Sequence, residues 1–378
     1  MIIKDIIFNI TTYIIAKIFF RKKYWLISER GIDARDNGYW FFKYLREQHP
    51  HIDAVYVIDT DSPDYDKVAI LGKTVRPNSF LHGILFYASD KIIGTHPGCG
   101  QPKWKAIYRL DKLGFTNIKG KRIFLQHGII KDKIPGLMKG VLETDLFICG
   151  AKPEYQFVLQ NFGFSNNVIK YTGLARYDNL ESTFEGTRSN KILLMPTWRH
   201  YLSGISKKEF LHSEYYIKYN EIINSKDLEK VLIDHNFELI FYPHYEIQKM
   251  IGVFNASIRN VTIAKFEDYD VQDLLKNADI LVTDYSSVFF DMAYMFKETI
   301  FYQFDYEEYR RGHYQEGYFE YEDSFGPVVR NFEQLLQELI KFLDMGTEEK
   351  YTQNMKKYFI YRDNNNCNRI YSEIVKVR

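Results

Sequence analysis

Only three cysteines, Cys99, Cys149 and Cys367, stand among 378 residues. Their number is odd and their spacing matches no zinc pattern, so neither a disulfide framework nor a cysteine zinc site is expected; buried or incidental thiols in a reducing setting fit. An excess of one charge is missing too: 50 Lys and Arg face 49 Asp and Glu, a net charge of +1. That balance gives no global pull toward nucleic acid, and no nucleic-acid partner is expected. There is no glycine-rich Walker loop and no Gly-x-Gly-x-x-Gly turn, which weighs against an ATPase or a dehydrogenase. No apolar run reaches the roughly twenty uninterrupted residues of a membrane-crossing helix, because Lys4, Asp5, Asn9 and Lys17 break the N-terminal one. No small-residue cleavage site follows that run, so no signal peptide is expected.

What is there belongs to a globular protein. Hydrophobic residues make up 46% and charged residues 26%, and the length has room for two ordinary domains. The 30 tyrosines and 29 phenylalanines are packing surface first, although tyrosine also suits sugars and membrane interfaces. At the N-terminus, Ile3, Ile6, Ile7, Ile10, Ile14 and Ile18 fall at helical spacing, and Arg21-Lys22-Lys23 follows. Residues 1–23 therefore read as an amphipathic helix, lying either on an anionic membrane face or on the protein's own core.

Beyond it, strand-like and helix-like runs alternate. Strands are expected at Tyr24–Ser28, Ala54–Ile58, Lys91–Gly94, Ile123–Gln126, Leu146–Cys149 and Val168–Thr172, then at Ile192–Met195, Glu238–Tyr242, Val261–Ala264, Ile280–Thr283 and Thr299–Tyr302. Such alternation predicts α/β architecture with parallel sheets. The polar stretch 181–190 divides the two series. Expected are a Rossmann-like domain over 24–183, a second over 184–345, a helical tail over 346–378, and a cleft faced by both domains.

Ligands of doubly wound sheets bind beyond the carboxyl ends of strands, and polar motifs fall there. Thr283-Asp284-Tyr285-Ser286-Ser287 lies between an apolar run and a helix-like run, where hydroxyls and unpaired helix N–H groups could hold a phosphate. Asp291, one turn on, would suit a ribose diol or simply sit at a favourable helix end. Gln126-His127-Gly128 ends another strand; His127 is a candidate general base, and Gly128 would let the backbone approach a ligand. Thr197 and Arg199, in Pro196-Thr197-Trp198-Arg199-His200, are candidate phosphate ligands. His244, in Tyr242-Pro243-His244, could donate to a phosphate oxygen or protonate a leaving group. Each has a bland alternative as a cap, a surface arginine or a packed histidine. Glu29, Asp36-Asn37-Gly38, His96-Pro97-Gly98 and Gly173–Asp178 also follow strands, each a weak signal alone. Asp59-Thr60-Asp61 reads as a solvated loop, and Tyr306–Tyr321 as a lining or a cover.

The motifs Leu125-Gln126-His127-Gly128, Pro196-Thr197-Trp198-Arg199, Tyr242-Pro243-His244 and Val282–Asp291 together resemble the CDP-glycerol glycerophosphotransferases of teichoic-acid and capsule synthesis. Asp363-Asn364-Asn365-Asn366 departs from the family's tail pattern. The resemblance implies a GT-B-like fold and transfer of a polyol phosphate from CDP-glycerol or CDP-ribitol to a hydroxyl of a lipid-linked saccharide, releasing CMP. It implies His127 as catalytic base and Arg199, His244, Ser286, Ser287 and Asp291 as the residues that hold the CDP-polyol; by position, His244 is also a catalytic candidate, and Gly128, Thr197 and Asp284 are further candidate substrate contacts. Neither a metal nor a cofactor is expected, and the enzyme would sit peripherally on the cytoplasmic face of the membrane. Two other readings remain: a glycosyltransferase of the polysialyltransferase type using CMP-sialic acid, and a non-catalytic membrane assembly factor.

Overall fold

A computed structural model describes residues 2–20, 22–104, 107–180, 189–312, 317–322 and 324–378. The chain forms two compact units. The first comprises Met1–Ile129, Ile134–Asn179 and Tyr361–Arg378; the second comprises Ile130–Lys133 and Leu180–Ile360. Most of the polar stretch chosen as the domain boundary, residues 181–188, lies outside the described residues, as does Arg21.

The first unit is built on seven parallel strands: β1 (Tyr24–Ser28), β2 (Asp53–Val57), β3 (Lys73–Val75), β4 (Ser89–Gly94), β5 (Lys121–Phe124), β6 (Leu146–Cys149) and β7 (Ile169–Tyr171). Their order is β3-β2-β1-β4-β5-β6-β7. Period-two alternation sends β1 into two cores: Trp25 and Ile27 pack with Phe41, Phe42 and Leu45 on one face, Leu26 with Val55, Ile84 and Phe86 on the other. The chain runs outward through β2 and β3, then returns to place β4 beside β1, so the switch point lies between those two strands.

The second unit repeats the scheme with β8 (Lys191–Leu194), β9 (Glu238–Phe241), β10 (Val261–Ile263), β11 (Ile280–Thr283), β12 (Glu298–Tyr302) and β13 (Val328–Val329), ordered β10-β9-β8-β11-β12-β13. Its switch point lies between β8 and β11. Ile192, Leu194, Phe241, Val282 and Ile300 share a core with Tyr215, Tyr219, Leu228 and Leu232.

Two strands were not expected, β3 and β13, because three and two residues are too few to show alternation. β5 stops at Phe124, short of the expected end, because Gln126 turns out of the strand at φ 65°. The N-terminal helix, Ile2–Phe19, packs on the helix Phe80–Ala88, with Phe8 against Phe80 and Tyr13 against Tyr87. Asn9, Thr12 and Ala16 are buried, and the Tyr87 hydroxyl donates to Asn9 Oδ1 at 2.8 Å. Ile3, Ile7, Ile14, Ile18 and Phe19 are exposed. No helix among the described residues is long and apolar enough to cross a membrane.

The tail divides. Its helix Glu349–Tyr358 belongs to the second unit, while Asn366–Ile374 buries Cys367, Ile370 and Ile374 in the first. Asp178 accepts the Asn366 and Cys367 N–H groups, both at 2.8 Å, and so serves the start of that last helix. Gly173 sits at φ +83°, and a Cβ there would meet Asn366 Oδ1 at 1.9 Å. The unusual asparagine run at 364–366 is thus a packing partner of the Gly173–Asp178 segment.

Candidate active site

In the first unit the site grows from the ends of β1, β4 and β5. Glu29, just past β1, is buried and accepts the N–H groups of Arg35, Asp36 and Tyr39 at 2.8–3.0 Å, fixing the entry to the helix Asn37–Gln48. Burial, with Asp36 and Asp33 nearby, pushes the Glu29 carboxyl up to about 8. Gly38 is required beside it, because a Cβ would come within 2.8 Å of Glu29 Cγ.

That entry presents Asp36 to His127. Asp36 Oδ2 lies 2.6 Å from His127 Nδ1, and Arg176 Nη1 donates to the other oxygen at 2.8 Å. Burial raises the Asp36 carboxyl, but His127 and Arg176 overcome it and hold the group below its usual range. The backbone around His127 is pinned as well. Asn37 Nδ2 donates to Gln126 O at 2.8 Å, Asn37 Oδ1 accepts the Arg176 N–H at 3.0 Å, and Arg176 donates to His127 O at 2.5 Å. The His127 side chain is 68% exposed. A buried carboxylate on Nδ1 leaves Nε2 to act as a base, with the ring orientation fixed. The bend at this strand end falls on Gln126; Gly128 is half-buried beyond it. The His96 ring lies 4.7 Å from that of His127, and burial first, then His127, pushes it down to about 4.

In the second unit the strand-end motifs converge on Arg199, and here two expectations are corrected. Arg199 is 1% exposed, and its guanidinium is taken up by carboxylates. Nε and Nη2 donate to Asp305 at 2.6 and 2.9 Å; Nη1 lies 2.8 Å from Asp284 Oδ2 and 2.7 Å from Thr197 O. Tyr285 and Tyr309, stacked at 3.6 Å, lie against it, with the guanidinium carbon 4.9 and 5.3 Å from their ring centres. Arg199 therefore ties β8 to the ends of β11 and β12 and does not offer a phosphate fork. Asp284, expected as a substrate contact, is fully buried: it accepts Thr197 N–H at 2.8 Å, Tyr285 N–H at 2.6 Å and the Tyr219 hydroxyl at 3.0 Å. Tyr309 and Tyr321 are buried against Tyr285, so these two rings cover the motif; residues 313–316 of the Tyr306–Tyr321 segment lie outside the described residues.

The other expected positions differ among themselves in exposure. Ser286 and Ser287 are half-buried in the turn before the short helix Phe289–Tyr294. Asp291 is buried within that helix. The Thr197 hydroxyl is buried with no hydrogen-bond partner among the described residues. His244 precedes the short helix Tyr245–Gln248, and its Nδ1 accepts the Glu246 N–H at 3.2 Å. That bond places the proton of the neutral ring on Nε2, where it is a donor. No group of three or more His, Cys, Asp or Glu among the described residues is placed to hold a metal ion.

Two parallel, doubly wound units with polar loops at their switch points define an α/β protein of GT-B-like architecture. Among solved structures, the wall teichoic acid polymerase TagF matches with a TM-score of 0.69 at 16% identity, covering 99% of this chain and 95% of that one. UDP-GlcNAc 2-epimerase from Neisseria meningitidis, bound to UDP-GlcNAc, matches at 0.56 with 12% identity, covering 94% and 100%. At those identities the likeness concerns the fold alone. The chain itself belongs to the family of CDP-Glycerol:Poly(glycerophosphate) glycerophosphotransferases, which it matches over residues 10–376. It is 34% identical over 379 residues to the minor teichoic acid biosynthesis protein GgaB of Bacillus subtilis (strain 168), covering 95% of this chain and 40% of that protein. It is 27% identical to the teichoic acid glycerol-phosphate transferase of Staphylococcus aureus (strain NCTC 8325 / PS 47), covering 61% and 60%. The chain thus spans less than two thirds of the length of either relative.

Proposed function

We propose that this protein transfers a polyol phosphate, glycerol phosphate first among them, from a CDP-polyol to a hydroxyl of a lipid-linked glycan or growing teichoic-acid chain, releasing CMP. The observation that carries this reading is the His127–Asp36 pair in a chain belonging to the glycerophosphotransferase family. The acceptor oxygen attacks the phosphorus that bears the polyol while His127 Nε2 takes its proton. The bond from that phosphorus to the bridging oxygen breaks, and the electron pair leaves on CMP. Asp36 stabilises the imidazolium that forms. From the second unit, we assign donor binding to Ser286, Ser287 and Thr197, and donation to a phosphate oxygen to His244.

The Ile3, Ile7, Ile14, Ile18 and Phe19 stripe, outward on a helix whose other side is already packed on the first unit, supports a peripheral seat on the cytoplasmic face of the membrane. That seat would bring the protein to a lipid-linked acceptor.

The decisive experiment offers CDP-glycerol, CDP-ribitol and CMP-sialic acid, each with a lipid-linked saccharide acceptor, and follows CMP release and product mass. A product heavier than the acceptor by one or more polyol-phosphate units is expected. Turnover of CMP-sialic acid alone, or of no donor, rejects the reading.

A further inference from the structure

A cavity of about 310 Å³ opens in the first unit alongside β4 and β5, and nothing in the reaction described so far uses it. Phe86, Ile92 and Phe124 give it apolar walls; Tyr108, Arg122 and Glu143 line it as well. His96, the residue leaning on the His127 ring at 4.7 Å, is also part of its lining. The size falls at the lower end of small-molecule sites, roughly 300–1,000 Å³, which are mostly apolar with a few placed polar groups.

The polar groups define the ligand's chemistry. Arg122 carries its guanidinium 4.9 Å from the centre of the Tyr108 ring, and Tyr108 is 41% exposed. Neither the Arg122 guanidinium nor the Glu143 carboxylate has a hydrogen-bond partner among the described residues. Arg122 supplies donors only and Glu143 acceptors only. With one charge of each sign, the pair gives little net attraction for a phosphate, whereas both groups satisfy hydroxyls. Apolar walls and an aromatic face suit the C–H face of a sugar ring.

We propose that this cavity binds one neutral, hydroxyl-rich saccharide unit of the acceptor, with Tyr108 against the ring face and Arg122 and Glu143 on its hydroxyls. The assignment rests on the reading of His127 as the base for an acceptor hydroxyl. It makes Tyr108 and Arg122 determinants of acceptor specificity in the same unit as that base.

Two measurements test it. In the first, saturation-transfer NMR reads binding of methyl glycosides of neutral hexoses and N-acetylhexosamines to the full chain, with glycerol 1-phosphate in a parallel arm. Saturable binding of at least one glycoside is expected, lost in Tyr108→Ala and in Arg122→Ala at an unchanged melting temperature. No glycoside binding, binding undiminished in both variants, or glycerol phosphate bound through these residues in place of the glycosides would overturn the assignment. In the second, steady-state kinetics should show KM for the saccharide acceptor raised roughly tenfold in Tyr108→Ala, with KM for CDP-glycerol unchanged. A wild-type chain that releases no CMP from any CDP-polyol defeats the transfer reading; an active wild type whose variants keep their acceptor KM defeats the cavity assignment alone.

Discussion

Asp36 Oδ2 lies 2.6 Å from His127 Nδ1, and the other Asp36 oxygen is held by Arg176 at 2.8 Å. The carboxylate is thus aimed at one ring nitrogen and cannot turn away. Its replacement should slow the reaction and, because the buried Arg176 loses a charged partner, lower stability as well. Asp36→Asn keeps the shape but can present an amide N–H to Nδ1, which favours the wrong tautomer. We expect kcat to fall by roughly a hundredfold or more, with KM for CDP-glycerol little changed. A variant with wild-type kcat would remove Asp36 from the mechanism, and His127→Ala with undiminished CMP release would remove the base itself.

Arg199 answers a different question. If it gripped the donor, Arg199→Lys would raise the donor KM and leave stability alone. The two buried carboxylates around it lead to the opposite expectation. Lysine cannot reproduce the fork on Asp305 and also reach Asp284, so a buried charge is left poorly paired, at a cost of about 3 kcal/mol or more. Chemical denaturation should show this loss, and an unchanged unfolding midpoint would restore Arg199 to the list of ligand residues.

Ser286 and Ser287 should separate cleanly from Arg199. Both lie half-buried in the turn after β11. Replacing both by alanine is expected to raise KM for CDP-glycerol by roughly tenfold, about 1.4 kcal/mol, while the melting temperature stays within a degree or two. A lower melting temperature at unchanged KM would make the two serines part of the scaffold.

These cases show what could be read from the sequence and what could not. Strand ends were legible because apolar runs stop abruptly at polar residues, and His127 stood out at one of them. Its partner was not legible as such, because Asp36 lies 91 residues away and meets it only when β1 and β5 enter the same sheet. Arg199 looked like a phosphate ligand because a guanidinium at a strand end can grip a phosphate with two donors at once. Its counter-charge, Asp305, comes from a strand end 106 residues later, and no local pattern announces that pairing. The edge strands β3 and β13 were too short to carry a period. The asparagine run near the tail looked like a departure from the family pattern, yet Asn366 closes on Asp178 and Gly173.

The N-terminal helix keeps an apolar stripe outward while its other side packs on the first unit, so its membrane role can be tested without deleting it. Changing Ile7, Ile14 and Ile18 to glutamine leaves the inward Asn9, Thr12 and Ala16 contacts intact. In flotation with vesicles containing anionic lipid, the wild-type chain should rise with the lipid and the triple variant should remain below. Equal flotation would show that this stripe is not the membrane contact.

His82 makes stability depend on pH in a direction that follows from its two hydrogen bonds. Its Nδ1 accepts the Asn78 N–H at 3.0 Å, so Nε2 must donate to Gly100 O at 3.1 Å. The ring is 1% exposed and is held neutral, and burial pushes its value down to about 4 from 6.5. Between those values the unfolded chain binds a proton that the folded chain refuses. The stabilisation is therefore full above about pH 6.5 and is lost as pH falls toward 4, by about 2 kcal/mol at pH 5. His96 acts in the same sense, whereas Glu29, raised to about 8, acts in the opposite one. Comparison with His82→Gln, whose amide can accept and donate in the same places, isolates the histidine. From pH 7 to 5 the wild type should lose about 2 kcal/mol of unfolding free energy relative to this variant; parallel profiles would mean that His82 takes up its proton inside the folded protein.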